Sequence, residues 1–235
     1  MEDSIRVVDK DVFRTDRTVP FYHPNPKTME EDLRLENLRT LQQLLLAYYA
    51  YDQELEYVQG MADLLSPILY VMRDGTETFW IFVNLMKKQR AAFSLNESQY
   101  IDSKLKRIQE LVRLIDPQFY DFLSFSSDSA QFFFCYRWLL VWFKREFAFE
   151  ETLIIWEALV TADTEDYDVF VAAAILDLSK DSIMQSCSGL GEVLAHLSVL
   201  SMQFGASAVL SRADQIYRLF SENKQLSWLY DIACK

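Results

Sequence analysis

Residues 30–50, EEDLRLENLRTLQQLLLAYYA, decide the fold class. Leucines at 35, 38, 41, 44 and 45, followed by Tyr48, recur at helical spacing and predict one apolar stripe along a long helix. YDQELEYVQG at 51–60 breaks the pattern. Downstream, a helix is predicted from near Met61 to Met72, interrupted or kinked at Pro67 and ended by the DG pair at 74–75. Thr76 or Thr78 is placed to cap a third helix running through Phe79, Phe82, Val83 and Met86. From Asp102 to Ile115, the residues Leu105, Ile108, Leu111, Val112 and Ile115 fall on one face, and Asp116-Pro117 starts a short helix. SAQFFFCYRWLLVWF at 129–143 is apolar nearly all round and predicts a central buried helix. Further helices are expected near 150–159, 167–178, 190–200 and 206–220. Upstream, Pro20, Pro24 and Pro26 predict an irregular, loop-like first 30 residues. With no strand alternation, repeat or low-complexity segment, the expected fold is all-α. It comprises about ten helices, divided near residues 95–125 into two packed helical subdomains.

Composition agrees. Only 5 glycines and 5 prolines in 235 residues argue against a many-turned β sandwich or barrel. A net charge of −12 disfavours nucleic acid and anionic lipid unless charge is segregated. The densest cations, Arg6, Lys10, Arg14 and Arg17, are interleaved with Asp9, Asp11 and Asp16, which reads as a mixed-charge segment. Cys135, Cys187 and Cys234 are far apart and lack CxxC spacing, so free thiols in a reducing, cytosolic setting are expected. With two histidines, a histidine-rich metal site is not expected. The charged opening MEDSIRVVDKD is unlike a signal peptide. The longest apolar run, 132–143, contains Arg137 and ends at Lys144-Arg145, so no spanning helix or direct membrane insertion is expected. The expected location is cytoplasmic, with recruitment to endomembranes left to flanking regions or partners.

Bond-making chemistry is not evident. The sequence has no GxxxxGK[ST], GxGxxG or HExxH, and no Ser/His/Asp set. GLGE at 189–192 reads as a helix start, Cys135 as a core thiol and His196 as a core histidine. Two segments stand apart: VVDKDVFRTDR at 7–17 and EYVQGMADLL at 56–65. On residue type alone, Arg14 is an ion-pair partner of Asp11 or Asp16, and Gln59 a capping or bracing amide.

VxxDxxRT at Val8, Asp11, Arg14 and Thr15 resembles the IxxDxxR motif of TBC-domain Rab GTPase activators. YVQGMADLLSPIL at 57–69 resembles that family's YxQG motif and the helix after it. RWLLVWFKREF at 137–147 and IIWE at 154–157 resemble two further blocks in the same order. The resemblance covers about residues 5–220, and four motifs in order make it specific although each alone is weak. It implies a TBC-type domain over residues 1–235. Arg14 would be an arginine finger and Gln59 a glutamine finger, both supplied in trans to a GTP-bound Rab-family GTPase. GTP and Mg²⁺ would belong to the partner, with no cofactor of this chain's own. Asp11 would orient Arg14 by ion pairing, and Tyr57 and Gly60 would set the loop that presents Gln59. Thr15, Asp63 and Arg137 would support the site or contact the partner, while Trp138 and Trp156 pack the core.

Two departures carry expectations. Glu56 stands where the family favours a glycine; if that position needs positive φ, the loop is strained. Family members carry helices before the arginine motif, whereas Arg14 is almost at the start, so a domain short of its N-terminal helices is expected. The rival readings are a TBC-like module that docks a GTPase or effector without accelerating hydrolysis, and a structural helical adaptor in which neither finger matters.

Overall fold

The computed structural model describes residues 2–23, 31–94, 99–124, 132–164 and 166–221. Every regular element among these residues is helical. The chain divides into two compact units, Met1–Ser98 and Gln99–Lys235.

The first unit holds α1 (Glu2–Arg14), α2 (Glu31–Tyr51), α3 (Met61–Met72) and α4 (Gly75–Phe93). The expectation of an irregular N-terminus holds for residues 15–23, which form turns, but is overturned for 2–14, because α1 is an amphipathic helix. Val8, Asp11, Val12 and Thr15 bury one face, at the i, i+3, i+4, i+7 spacing of a helix. Its dense charges masked that spacing in the sequence. Pro24 and Pro26 lie outside the described residues. On α2 the buried line is Leu41, Leu45 and Tyr48, while Leu35 remains exposed. A strict spacing of three drifts off one helical face, so i, i+4, i+7 wins.

Nine consecutive residues of α3, Met61–Leu69, are buried, which makes it the central helix of this unit. It runs on through Pro67. Its C-cap is Arg73, in the left-handed region at φ 59°. Neither threonine caps α4. Asp74 does so, accepting from Glu77 N at 2.8 Å, because Asp74 is extended while Thr76 and Thr78 already lie within the helix.

The second unit holds α5 (Gln99–Ile115), α6 (Pro117–Leu123), α7 (Tyr136–Leu140), α8 (Phe149–Thr161), α9 (Tyr167–Ser186), α10 (Leu190–Leu200) and α11 (Ala206–Ser221). Its centre is α9, buried without interruption from Tyr167 to Leu176 and flanked by α5 and α11. The expected central helix over 129–143 does not form. From residue 132 onward, the chain makes a 3-10 turn at Phe133–Cys135, the five-residue α7, and then a reversal. Trp142 and Phe143 take left-handed φ of 45° and 59°, and Phe143 N donates to Trp138 O at 2.8 Å, a Schellman-type closure. Trp156 Nε1 donates to Trp142 O at 2.8 Å and braces the reversal. A straight helix points side chains all round its axis. The reversal instead takes Trp138, Phe143 and Phe147 into one core.

Cys135 and Cys187 are buried free thiols; burial holds Cys135 well above the ordinary thiol range. Cys234 lies outside the described residues. His196 Nε2 is 2.9 Å from Ser182 Oγ, and Gly189 is the N-cap of α10, so GLGE is a helix start. No helix among the described residues is long and apolar enough to cross a membrane.

Candidate functional site

Arg14 is the last residue of α1, not a loop residue as expected. Its side chain is 56% exposed. Nε donates to Lys10 O at 3.0 Å, which holds the guanidinium against the helix C-terminus, where a cation is favoured. The Nη end faces outward, with Nη2 4.0 Å from Asp11 Oδ1.

The expected ion pair between Asp11 and Arg14 is therefore only marginal. The buried Asp11 carboxylate serves mainly another purpose. Its Oδ2 accepts from Tyr57 Oη at 2.5 Å and from Gly60 N at 3.0 Å. Gly60 N belongs to the peptide that follows Gln59. One carboxylate thus touches the arginine helix on one side and the glutamine loop on the other. Burial, reinforced by the charges of Asp11 and Asp63, pushes the Tyr57 phenol far above its ordinary range, so it remains a neutral donor.

The loop between α2 and α3 is also anchored where it begins. Asp52 accepts from Tyr48 Oη at 3.2 Å and Leu55 N at 3.3 Å, and pairs with Arg90 of α4. At its far end Gly60 takes φ 110° as the N-cap of α3, a conformation that an L side chain rarely adopts. Glu56 is not among the residues at positive φ, so the strain expected there is absent; the left-handed position is Gly60. Gln59 is exposed between these anchors.

The chain leaving Arg14 is tied down as well. Thr15, buried, donates its hydroxyl to Asp11 O at 2.8 Å, and its carbonyl lies 2.9 Å from His23 Nε2. Asp16 turns the chain at φ 49° and accepts from Ser66 Oγ of α3 at 2.6 Å, while Tyr22 Oη donates to Ser66 O at 2.5 Å. Asp63 is buried in the first turn of α3, where a carboxylate suits the helix dipole.

Arg137 belongs to the other unit. Its Nε and Nη2 both donate to Oε1 of buried Glu146, at 2.9 and 2.7 Å. Glu146 Oε2 in turn accepts from Ser201 Oγ at 2.6 Å. Arg137 is thus a brace within its unit. Trp138 and Trp156 are buried, as expected of core residues.

Sequence reading missed Tyr22, Asp52, Ser66 and Arg90. They are single residues of ordinary type whose links between elements, Tyr22 and Asp16 to Ser66 and Asp52 to Arg90, are distant in the chain, and no local motif marks them.

Asp11→Ala leaves a half-buried phenol and a buried amide without their acceptor. The expected loss of stability is on the order of 2–4 kcal/mol, measured by urea unfolding. A loss below about 0.5 kcal/mol, the scale of an ordinary surface substitution, would show that the carboxylate does not hold the loop.

The Rab-GTPase-TBC domain family profile matches residues 1–184. The chain is 40% identical over 215 residues to TBC1 domain family member 17 of Homo sapiens, covering 90% of this chain and 31% of that protein. It is 34% identical over 226 residues to the GTPase-activating protein gyp7 of Schizosaccharomyces pombe, covering 93% of this chain and 30% of that one. The chain spans about a third of the length of these relatives. The crystal structure of the Ypt/Rab-GAP domain of Gyp1p superposes with a TM-score of 0.72 at 18% identity, over 92% of this chain and 72% of that one, a likeness of fold.

Proposed function

Since this chain belongs to the Rab-GTPase-TBC domain family, we propose that it accelerates GTP hydrolysis on a GTP-loaded Rab-family GTPase by inserting Arg14 and Gln59 into the partner's nucleotide site. The supporting observation is the Asp11 carboxylate, shared between the arginine helix and the peptide after Gln59.

Hydrolysis needs charge stabilised on the transferring phosphoryl group and a water held in line. Arg14 meets the first need. With Nε engaged by Lys10 O, its outward Nη groups can straddle phosphate oxygens. Gln59 meets the second, because an amide donates and accepts at once. The Arg14 guanidinium is held at a helix end and the backbone that carries Gln59 by a loop anchored at each end, which limits the reorganisation left for the transition state. The chain makes and breaks no bond itself; GTP and Mg²⁺ arrive with the partner. Membrane recruitment falls to partners or flanking regions. Glu56, where strain would have favoured a docking-only module, is not at positive φ.

The test is single-turnover GTP hydrolysis by a panel of Rab GTPases, with and without this chain. At least one member is expected to be accelerated by roughly 10³-fold or more. Binding of GTP-loaded members without acceleration of any would establish the docking module instead.

A further inference from the structure

Charges that alternate along residues 6–17 of the sequence are sorted in space. Asp11 faces inward to Tyr57 and Gly60. Asp16 turns to Ser66, and Asp9 accepts from Gln42 Nε2 of α2 at 2.5 Å. The cations are left outside. Lys10, Phe13, Arg14 and Arg17 line one open cleft with Asp9, and Arg6 lies one helical turn before Lys10 on the same face. Phe13 is 66% exposed, with the Arg17 guanidinium 5.3 Å from its ring centroid. Among the described residues, the only ion pair of this strip is the 4.0 Å contact of Arg14 with Asp11. The mixed-charge reading of the sequence is refined: Asp9 stays in the cleft, but Asp11 and Asp16 turn away, so α1 and the turn after it carry a strip with a surplus of cations and an aromatic at its centre, on a chain of net charge −12.

We propose that Arg6, Lys10, Phe13 and Arg17 form a docking strip for an acidic surface of the GTPase bordering its nucleotide site, with an apolar seat for Phe13. This rests on the function proposed above. Charge complementarity selects the occupant. Arg14 stands within the strip, so the body that receives Arg14 also meets these cations. A strip opposite in sign to the rest of the chain orients an acidic partner before contact. Arg17 and Phe13 stack, which keeps a cation and a ring presented together at little entropic cost.

The experiment varies domain concentration in single-turnover hydrolysis at low and high salt, using wild type and the triple variant Arg6→Glu/Lys10→Glu/Arg17→Glu. The variant is expected to raise the half-saturating concentration about tenfold or more at low salt and to flatten the salt dependence. Its plateau rate should stay within about twofold, because Arg14 and Gln59 remain. Phe13→Ala should raise the half-saturating concentration without changing the salt slope. Charge reversal at exposed Lys106 of α5 controls for net charge. Circular dichroism checks folding, and Lys10→Gln/Arg17→Gln replaces the triple variant if that fails to fold.

Unchanged half-saturation and salt slope overturn the proposal. So does an effect confined to sedimentation with phosphatidylserine/phosphatidylcholine vesicles, which would make the strip a membrane contact. Should wild type accelerate no Rab, the proposed activity falls. The strip is then judged by binding of Rabs loaded with a non-hydrolysable GTP analogue: salt-sensitive binding lost in the triple variant supports it, and binding indifferent to the variant, or none, overturns it.

Discussion

Arg14→Ala lowers the acceleration of GTP hydrolysis by roughly 10³-fold or more while leaving the fold intact, as expected for an arginine finger. The geometry separates these two effects. The side chain is 56% exposed, its contact with Asp11 is 4.0 Å long, and its Nε bond to Lys10 O lies on the surface. Exposed contacts of this kind contribute about 0–1 kcal/mol, so unfolding curves should barely move. Arg14→Lys is expected to fail nearly as badly, because a point ammonium cannot reproduce a planar fork of N–H donors. The measurements are single-turnover rates on a responsive Rab together with urea unfolding. Near-normal hydrolysis by a folded Arg14→Ala would remove the finger assignment. An unfolded variant would restore the reading of Arg14 as a structural ion-pair partner.

Gln59 gives the second large effect, and it distinguishes the two-finger mechanism from its rivals. Small GTPases position the attacking water with a glutamine of their own. A domain that brings an amide makes that residue partly redundant. This chain is therefore expected to accelerate a Rab whose switch glutamine has been changed to alanine, and Gln59→Ala is expected to abolish that rescue. Binding of the GTP-loaded partner should persist, because the amide acts in the transition state and adds little to ground-state docking. The loop should survive the substitution. Its conformation depends on Gly60 at φ 110°, on Tyr57 and Gly60 bound to Asp11, and on Asp52, none of which uses the Gln59 side chain. Four rates decide the matter: wild-type and Gln59→Ala domain against wild-type and glutamine-less Rab. An activator that uses Arg14 alone loses the mutant Rab whether or not Gln59 is present. Four accelerations unchanged by Gln59→Ala would make it a bracing amide.

The contrast between Gln59 and Asp11 shows how far a sequence can be read. Gln59 was singled out by its motif and lies exposed on the loop, and the glycine after it takes the left-handed backbone that ends that loop. Asp11 was singled out too, but with its weakest partner. Proximity in the chain suggested Arg14, three residues away, whereas its short hydrogen bonds go to residues 46 and 49 positions distant. The basic strip was hidden for the same reason. Alternating signs along 6–17 look neutralised until the partners of Asp11 and Asp16 on other elements are known.

The sequence by itself determined the all-α class and most helices after residue 30, and it singled out Arg14 and Gln59 as candidates. Helix periodicity and short motifs depend on neighbours three and four residues away, and these are present in any window of the chain. Only the tertiary structure decided that residues 2–14 are helical, that 132–147 breaks into turns, and that Asp11 holds the glutamine loop. Each of these turns on burial against a distant element. Val8 and Val12 make a helix worth forming once α2 and α3 cover them, and Trp142 and Phe143 accept left-handed backbone because the reversal buries both aromatic side chains.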